Sequence, residues 1–86
     1  MFSIELSRRA TKALADLPGD YREAMARKLV ELERWPDHQA DVCALVNNPL
    51  GTHRLRVGNY RAVLIVDDVV QVVTVVRVAH RSKVYD

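Results

Sequence analysis

Eighty-six residues are enough for one small core and too few for a second catalytic domain. With 49% hydrophobic and 28% charged residues and only 3 Gly and 3 Pro, the composition is globular and excludes a disordered or fibrous chain. The single cysteine, Cys43, excludes an internal disulfide and a cysteine-rich zinc cluster. The net charge of +2 hides a division, because residues 1–43 carry 7 Lys/Arg against 8 Asp/Glu and residues 44–86 carry 6 against 3. The positive field belongs to the second half, where a polyanion would be drawn.

Residues 1–86 are expected to form a single domain. Phe2, Ile4 and Leu6 alternate with Ser3 and Glu5, as in a short strand with one apolar face. Ser7 then stands as a helix N-cap, and Ala10, Ala13, Leu14 and Leu17 follow at helical spacing until Pro18-Gly19. A second helix is expected from about Asp20, capped by Asp20 with Glu23 three residues on. Its stripe of Tyr21, Met25, Leu29 and Leu32 runs to Trp35-Pro36. Residues 37–51 read as a loop around the short apolar piece Val42 to Val46, with Asn47, Asn48, Pro49 and Gly51 as turn formers. Three strands then follow, His53–Val57, Tyr60–Val66 and Val69–Ala79, joined by tight turns at Gly58-Asn59 and Asp67-Asp68.

The expected fold is therefore α+β in the order βααβββ, with two helices on one face of a small, largely antiparallel sheet. The start of the chain lacks the basic and apolar stretches of a signal peptide. The longest apolar tract, Val69 to Val78, is interrupted by Gln71, Thr74 and Arg77 and is too short for a bilayer, so a cytoplasmic location is expected.

Strand alternation places Tyr60, Ala62, Leu64 and Val66 on one face and Arg61, Val63 and Ile65 on the other. In the last strand it groups Val70, Val72, Thr74, Val76 and Val78 against Val69, Gln71, Val73, Val75, Arg77 and Ala79. The arginine-bearing sets should face away from the helices. Arg54, Arg56, Arg61, Arg77 and Arg81 then line one open surface, and guanidinium groups suit phosphate because their planar fork gives paired donors at any physiological pH.

The tail from Ala79 to Asp86 adds His80, Lys83 and Tyr85. His80 ordinarily titrates near neutrality and could exchange a proton there. Ser3, Ser7 and Ser82 lack a glycine-rich turn, and Cys43 lies in an apolar run, so no nucleophilic triad is expected. His38 and His53 lack a metal-ligand spacing, and neither a metal nor a cofactor is expected.

The run Gly51-Thr52-His53-Arg54-Leu55-Arg56-Val57-Gly58-Asn59-Tyr60-Arg61, followed by Val78-Ala79-His80-Arg81-Ser82-Lys83-Val84-Tyr85, resembles the RelE/ParE superfamily of type II toxins. The resemblance covers nearly the whole chain. It implies a ribosome-dependent, metal-independent endoribonuclease that cuts mRNA in the A site by 2′-OH attack on phosphate, held in check by a cognate antitoxin. By that likeness Arg54, Arg61, His80, Arg81 and Tyr85 take the catalytic positions. Arg56, Arg77 and Lys83 would hold RNA phosphate, and Thr52 stands where RelE proper has a lysine.

Two other readings accompany this one: a ParE-like toxin that poisons DNA gyrase by binding, and a degenerate member that only binds its antitoxin. With the sequence running to Asp86, no C-terminal helix is expected to cover the open face. Val63, Ile65, Val73 and Val75 are therefore expected to receive an antitoxin segment. Otherwise a twisted meander would let the tail and the 37–51 loop bury those valines.

Overall fold

The computed structural model describes residues 1–86. Strand β1 (Ser3–Leu6) leads into helix α1 (Arg8–Ala15), helix α2 (Gly19–Glu31) and a single 3-10 turn at Leu32–Arg34. Strands β2 (Asp41–Ala44), β3 (His53–Val57), β4 (Tyr60–Asp67) and β5 (Val72–His80) complete one sheet in the order β1-β5-β4-β3-β2. β1 pairs with β5 in parallel, and every other pairing is antiparallel. The α+β architecture expected from the sequence is present, with one more strand.

Ser7 caps α1 as its position suggests: its backbone is extended and its hydroxyl accepts the N–H of Ala10 at 3.0 Å. Asp20 does not cap α2. That helix begins one residue earlier at Gly19, with Pro18 as a cap that offers no side-chain bond. Asp20 instead lies in the first turn, where its charge favours the positive end of the helix dipole.

The helices cover one face of the sheet. Met25, Leu29 and Leu32 from this layer close on Leu55, Ala62, Leu64, Val73, Val75 and Val78, with Phe2, Ala10 and Leu17 completing the cluster. A leucine as fully enclosed as Leu55 or Leu64 contributes about 1.5–3 kcal/mol relative to exposure.

Three details depart from the pattern of the sequence. Residues 41–44, expected as loop, form the edge strand β2. Its partner β3 lies about ten residues on, and only Val42 packs on the core, so no alternation marks it. The last strand starts at Val72 rather than Val69. Asp67 Oδ1 accepts the N–H groups of Val69 and Val70 at 3.0 and 3.2 Å, and Gln71 takes φ +58, so a turn replaces the first three residues despite their β propensity.

The third departure decides which residues are core. Val63 pairs with Arg77 but Leu64 pairs with Val75, so Val76 is an extra residue, a β-bulge. Below the bulge the alternation of β5 is inverted. Val73 and Val75 are fully buried under the helices, and Thr74 takes the place opposite Ile65 on the other face. Neither valine belongs to the open surface for which the alternation marked it.

Candidate functional site

The face away from the helices is built on β3 and β4. Their register sets Arg56 opposite Arg61 and Arg54 opposite Val63, while Leu55 and Ala62 point into the core. The hairpin between them turns on Gly58, with φ +58. A Cβ there would stand 2.7 Å from the ring of Tyr21, so glycine serves both the turn and the close approach of α2.

Each arginine has its own setting. Arg61 Nη1 donates to the carbonyls of Gly58 and Tyr60 at 2.9 and 3.0 Å, folding the guanidinium back on the turn. Arg56 Nε donates to Asp41 Oδ2 at 2.6 Å, an exposed ion pair across the edge of the sheet. Arg54 Nη2 lies 3.4 Å from Cys43 Sγ, and its Nη1 is buried with no hydrogen-bond partner. Arg81 is exposed, and its backbone N–H donates to the carbonyl of Asn59 at 2.8 Å, tying the start of the tail to the same hairpin turn.

These charges act on one another at Arg61. Its pKa is lowered, first by burial, then by the like charges of Arg54, Arg56 and Arg81, while Tyr85 pulls the other way. Four guanidinium groups and a half-exposed phenol therefore meet at one end of the open face, an arrangement that an anion such as phosphate would stabilise.

The remaining candidates lie elsewhere. His80 pairs in register with Tyr60, its ring meets that tyrosine edge-on at 5.5 Å, and Tyr60 in turn packs on Tyr21 of α2. It thus belongs to the helix side of the sheet end, opposite to Arg61, and does not join the arginines with which the family likeness grouped it. Its Nδ1 accepts the N–H of Ser82 at 3.2 Å, so the neutral ring carries its proton on Nε2. Lys83 is exposed on the tail turn.

Arg77 does face away from the helices, but it holds protein rather than open space. Its Nη1 donates to the backbone oxygens of Val84 at 3.0 Å and Asp86 at 2.6 Å. Val63 and Val84 are the two fully buried side chains outside the helix-side core. The Gly51 segment covers Val63: a Cβ on Gly51 would fall 2.6 Å from Val63 Cγ1. Of the four apolar residues expected as a bare patch, Ile65 alone is exposed, at 40%.

Thr52 is structural. Its hydroxyl accepts the N–H of Val66 at 2.9 Å and lies 2.8 Å from His53 Nδ1. Asp41 and Cys43 join the arginine face only through the ladder of β2, and no periodicity in the chain announces them.

The fold and this face can be set against known proteins. No curated protein sequence matches the chain. Among solved structures it is similar to the toxin in an archaeal RelE–RelB complex from Pyrococcus horikoshii, with 23% identity and a TM-score of 0.77 over 95% of this chain and 97% of that one. It is similar to the toxin of a RelBE toxin–antitoxin complex from Mycobacterium tuberculosis, with 27% identity and a TM-score of 0.76 over 93% and 98% of the two chains. The isolated RelE toxin of E. coli matches at 28% identity and a TM-score of 0.75 over 93% and 84%. The family model for the ParE toxin of the type II toxin–antitoxin system parDE matches residues 4–85. The chain therefore belongs to the ParE toxin family of type II toxin–antitoxin systems, within the RelE/ParE superfamily.

Proposed function

We propose that this toxin acts as a RelE-like endoribonuclease on mRNA in the ribosomal A site. The β3–β4 register that sets Arg54 and Arg61 on one face, with Arg81 tied to the same hairpin turn through its N–H to the carbonyl of Asn59, is the observation that carries this reading. The 2′-OH of a ribose gives up its proton as it attacks the adjacent phosphorus, the bond to the 5′-oxygen breaks, and that oxygen takes a proton in turn, leaving a 2′,3′-cyclic phosphate and a 5′-hydroxyl. The pentacoordinate transition state carries extra negative charge, which Arg61 and Arg81 meet with fixed positive groups. Arg54 adds to the same field, and Tyr85 offers a ring on which an unstacked base can rest. The ribosome supplies the alignment of 2′-OH and phosphate that so open a site lacks.

A cognate antitoxin is the partner that blocks this surface, as RelB accompanies RelE in the related complexes. Acidic side chains set against Arg54, Arg61 and Arg81 would do so directly.

A second reading, inhibition of DNA gyrase by binding, is favoured by the ParE family match and by the separation of His80 from the arginines. The test runs both assays on one preparation: primer extension on mRNA in a translation extract, and supercoiling by purified gyrase. Codon-phased cuts with unimpaired supercoiling support the nuclease. Loss of supercoiling with intact mRNA supports the gyrase poison.

A further inference from the structure

Arg77 lies on the open face of β5 near the end of the strand, and its contacts are unlike those of the other arginines. One nitrogen, Nη1, donates to the backbone oxygens of Val84 and Asp86, the two residues that bracket Tyr85 in the chain. The backbone of Tyr85 is thereby fixed on both sides by a single guanidinium. Val84 adds a second anchor, because its side chain is 1% exposed and lies outside the helix-side core. Val63 is the cross-strand partner of Arg77 itself. Hydrogen bonds to Val84 and Asp86 and the burial of Val84 thus fasten the segment that carries Tyr85.

Tyr85 is left 46% exposed between those anchors, close enough for its phenol to act on Arg61. Residues 81–85 form turns and no regular element, so their own backbone bonds hold them weakly: Lys83 N–H to the oxygen of His80, and Asp86 N–H to that of Lys83. A segment of this kind frays unless something ties it down. A stacking ring is useful only when its plane is held, since orientation is what a positioned group contributes.

We propose that Arg77 is a positioning residue, which presents Tyr85 to the RNA base beside Arg61 and Arg81 and does not itself bind RNA phosphate. The proposal rests on the RelE-like reading for the identity of the ligand, and on the geometry alone for the hold on the tail.

The test compares the intact chain with Arg77→Ala, Tyr85→Ala and the double variant. Backbone order parameters from NMR relaxation report the tail directly. With Arg77→Ala the amides of Val84, Tyr85 and Asp86 should fall from values near those of rigid backbone, about 0.85, to below about 0.6, while β5 keeps its own. Tyr85→Ala should leave the tail ordered. In mRNA cleavage on programmed ribosomes, Arg77→Ala should lose about as much rate as Tyr85→Ala, and the double variant should be no slower than Tyr85→Ala.

The salt dependence of ribosome binding separates this role from a phosphate contact. Loss of one such contact lowers the slope by about 1, whereas a positioning residue leaves it unchanged. Additive rate losses, a reduced slope or an ordered tail in Arg77→Ala would each overturn the proposal. If Arg77→Ala does not fold, Arg77→Gln retains the stem and shortens the donor, and the same readouts apply. If the unmodified protein cuts no mRNA, the nuclease reading falls, and the order parameters alone decide the role of Arg77.

Discussion

The hydroxyl of Ser7 donates to the carbonyl of Val76 at 3.2 Å, joining the cap of the first helix to the bulge of the last strand. The backbone N–H of Ser7 reaches the neighbouring carbonyl of Val75 at 2.9 Å. The same Ser7 oxygen accepts from Ala10, so one side chain closes a helix end and bonds the carbonyl of the bulge residue. Ser7→Ala should therefore cost more than an ordinary exposed cap, about 1–2 kcal/mol, read as a lower midpoint in urea with an unchanged slope. A midpoint that does not move would mean that the bulge holds without its cap.

Because the bulge turns Val73 inward, Val73→Glu should prevent folding of the free protein. A carboxylate has no partner among Ile4, Leu64 and Val75, and burying it unpaired is severely destabilising. Ile65→Glu, on the exposed face, should fold normally by circular dichroism. The reverse pattern would place the bulge elsewhere.

Arg81→Ala should abolish growth inhibition with the fold retained. Its side chain is exposed, so the loss is one of transition-state charge and not of packing. A rate reduction of about 10²- to 10³-fold in ribosome-programmed cleavage is the expected size. Full toxicity of this variant would remove the nuclease reading.

Cleavage should persist in excess chelator once ribosomes are programmed with mRNA, and free RNA should be cut poorly. The acidic neighbour of the arginines, Asp41, is committed to Arg56, and no three His, Cys, Asp or Glu side chains come together to hold a metal ion. Efficient, chelator-sensitive cutting of naked RNA would contradict the assignment of charge stabilisation to guanidinium groups.

His53 makes stability depend on pH in a stated direction. Burial holds its pKa below the ordinary value of about 6.5, the nearby His38 lowers it further, and Asp68 opposes both. Its ring stands edge-on to Trp35 at 5.0 Å, with the Thr52 hydroxyl on Nδ1. Since the folded pKa is the lower one, the unfolded chain binds more protons below about pH 6.5, and stability falls as the pH drops through the folded value. The melting temperature should decline from pH 7.5 to 5.5, and less steeply in His53→Gln. Parallel profiles would acquit His53.

Local spacing in the chain determined a good part of this protein. The cap at Ser7, the break at Pro18-Gly19, the turn at Gly58-Asn59 and the alternation through β3 and β4 each depend on residues a few positions apart. Arg54, Arg56 and Arg61 were therefore legible as one face, and with the tail they carried the superfamily likeness. What the tertiary structure decided depends on partners far along the chain. β2 is a strand because β3 pairs with it, and Val76 is a bulge whose carbonyl meets Ser7, 69 positions earlier. That single extra residue exchanges the faces of β5, which no period-2 reading can foresee. His80 falls opposite Arg81's neighbours because it pairs with Tyr60, and Arg77 turns to the tail because Val84 and Asp86 bring their backbone oxygens to it. Residue type announced that these groups could bind an anion; only the folded chain assigned one of them to hold its own backbone.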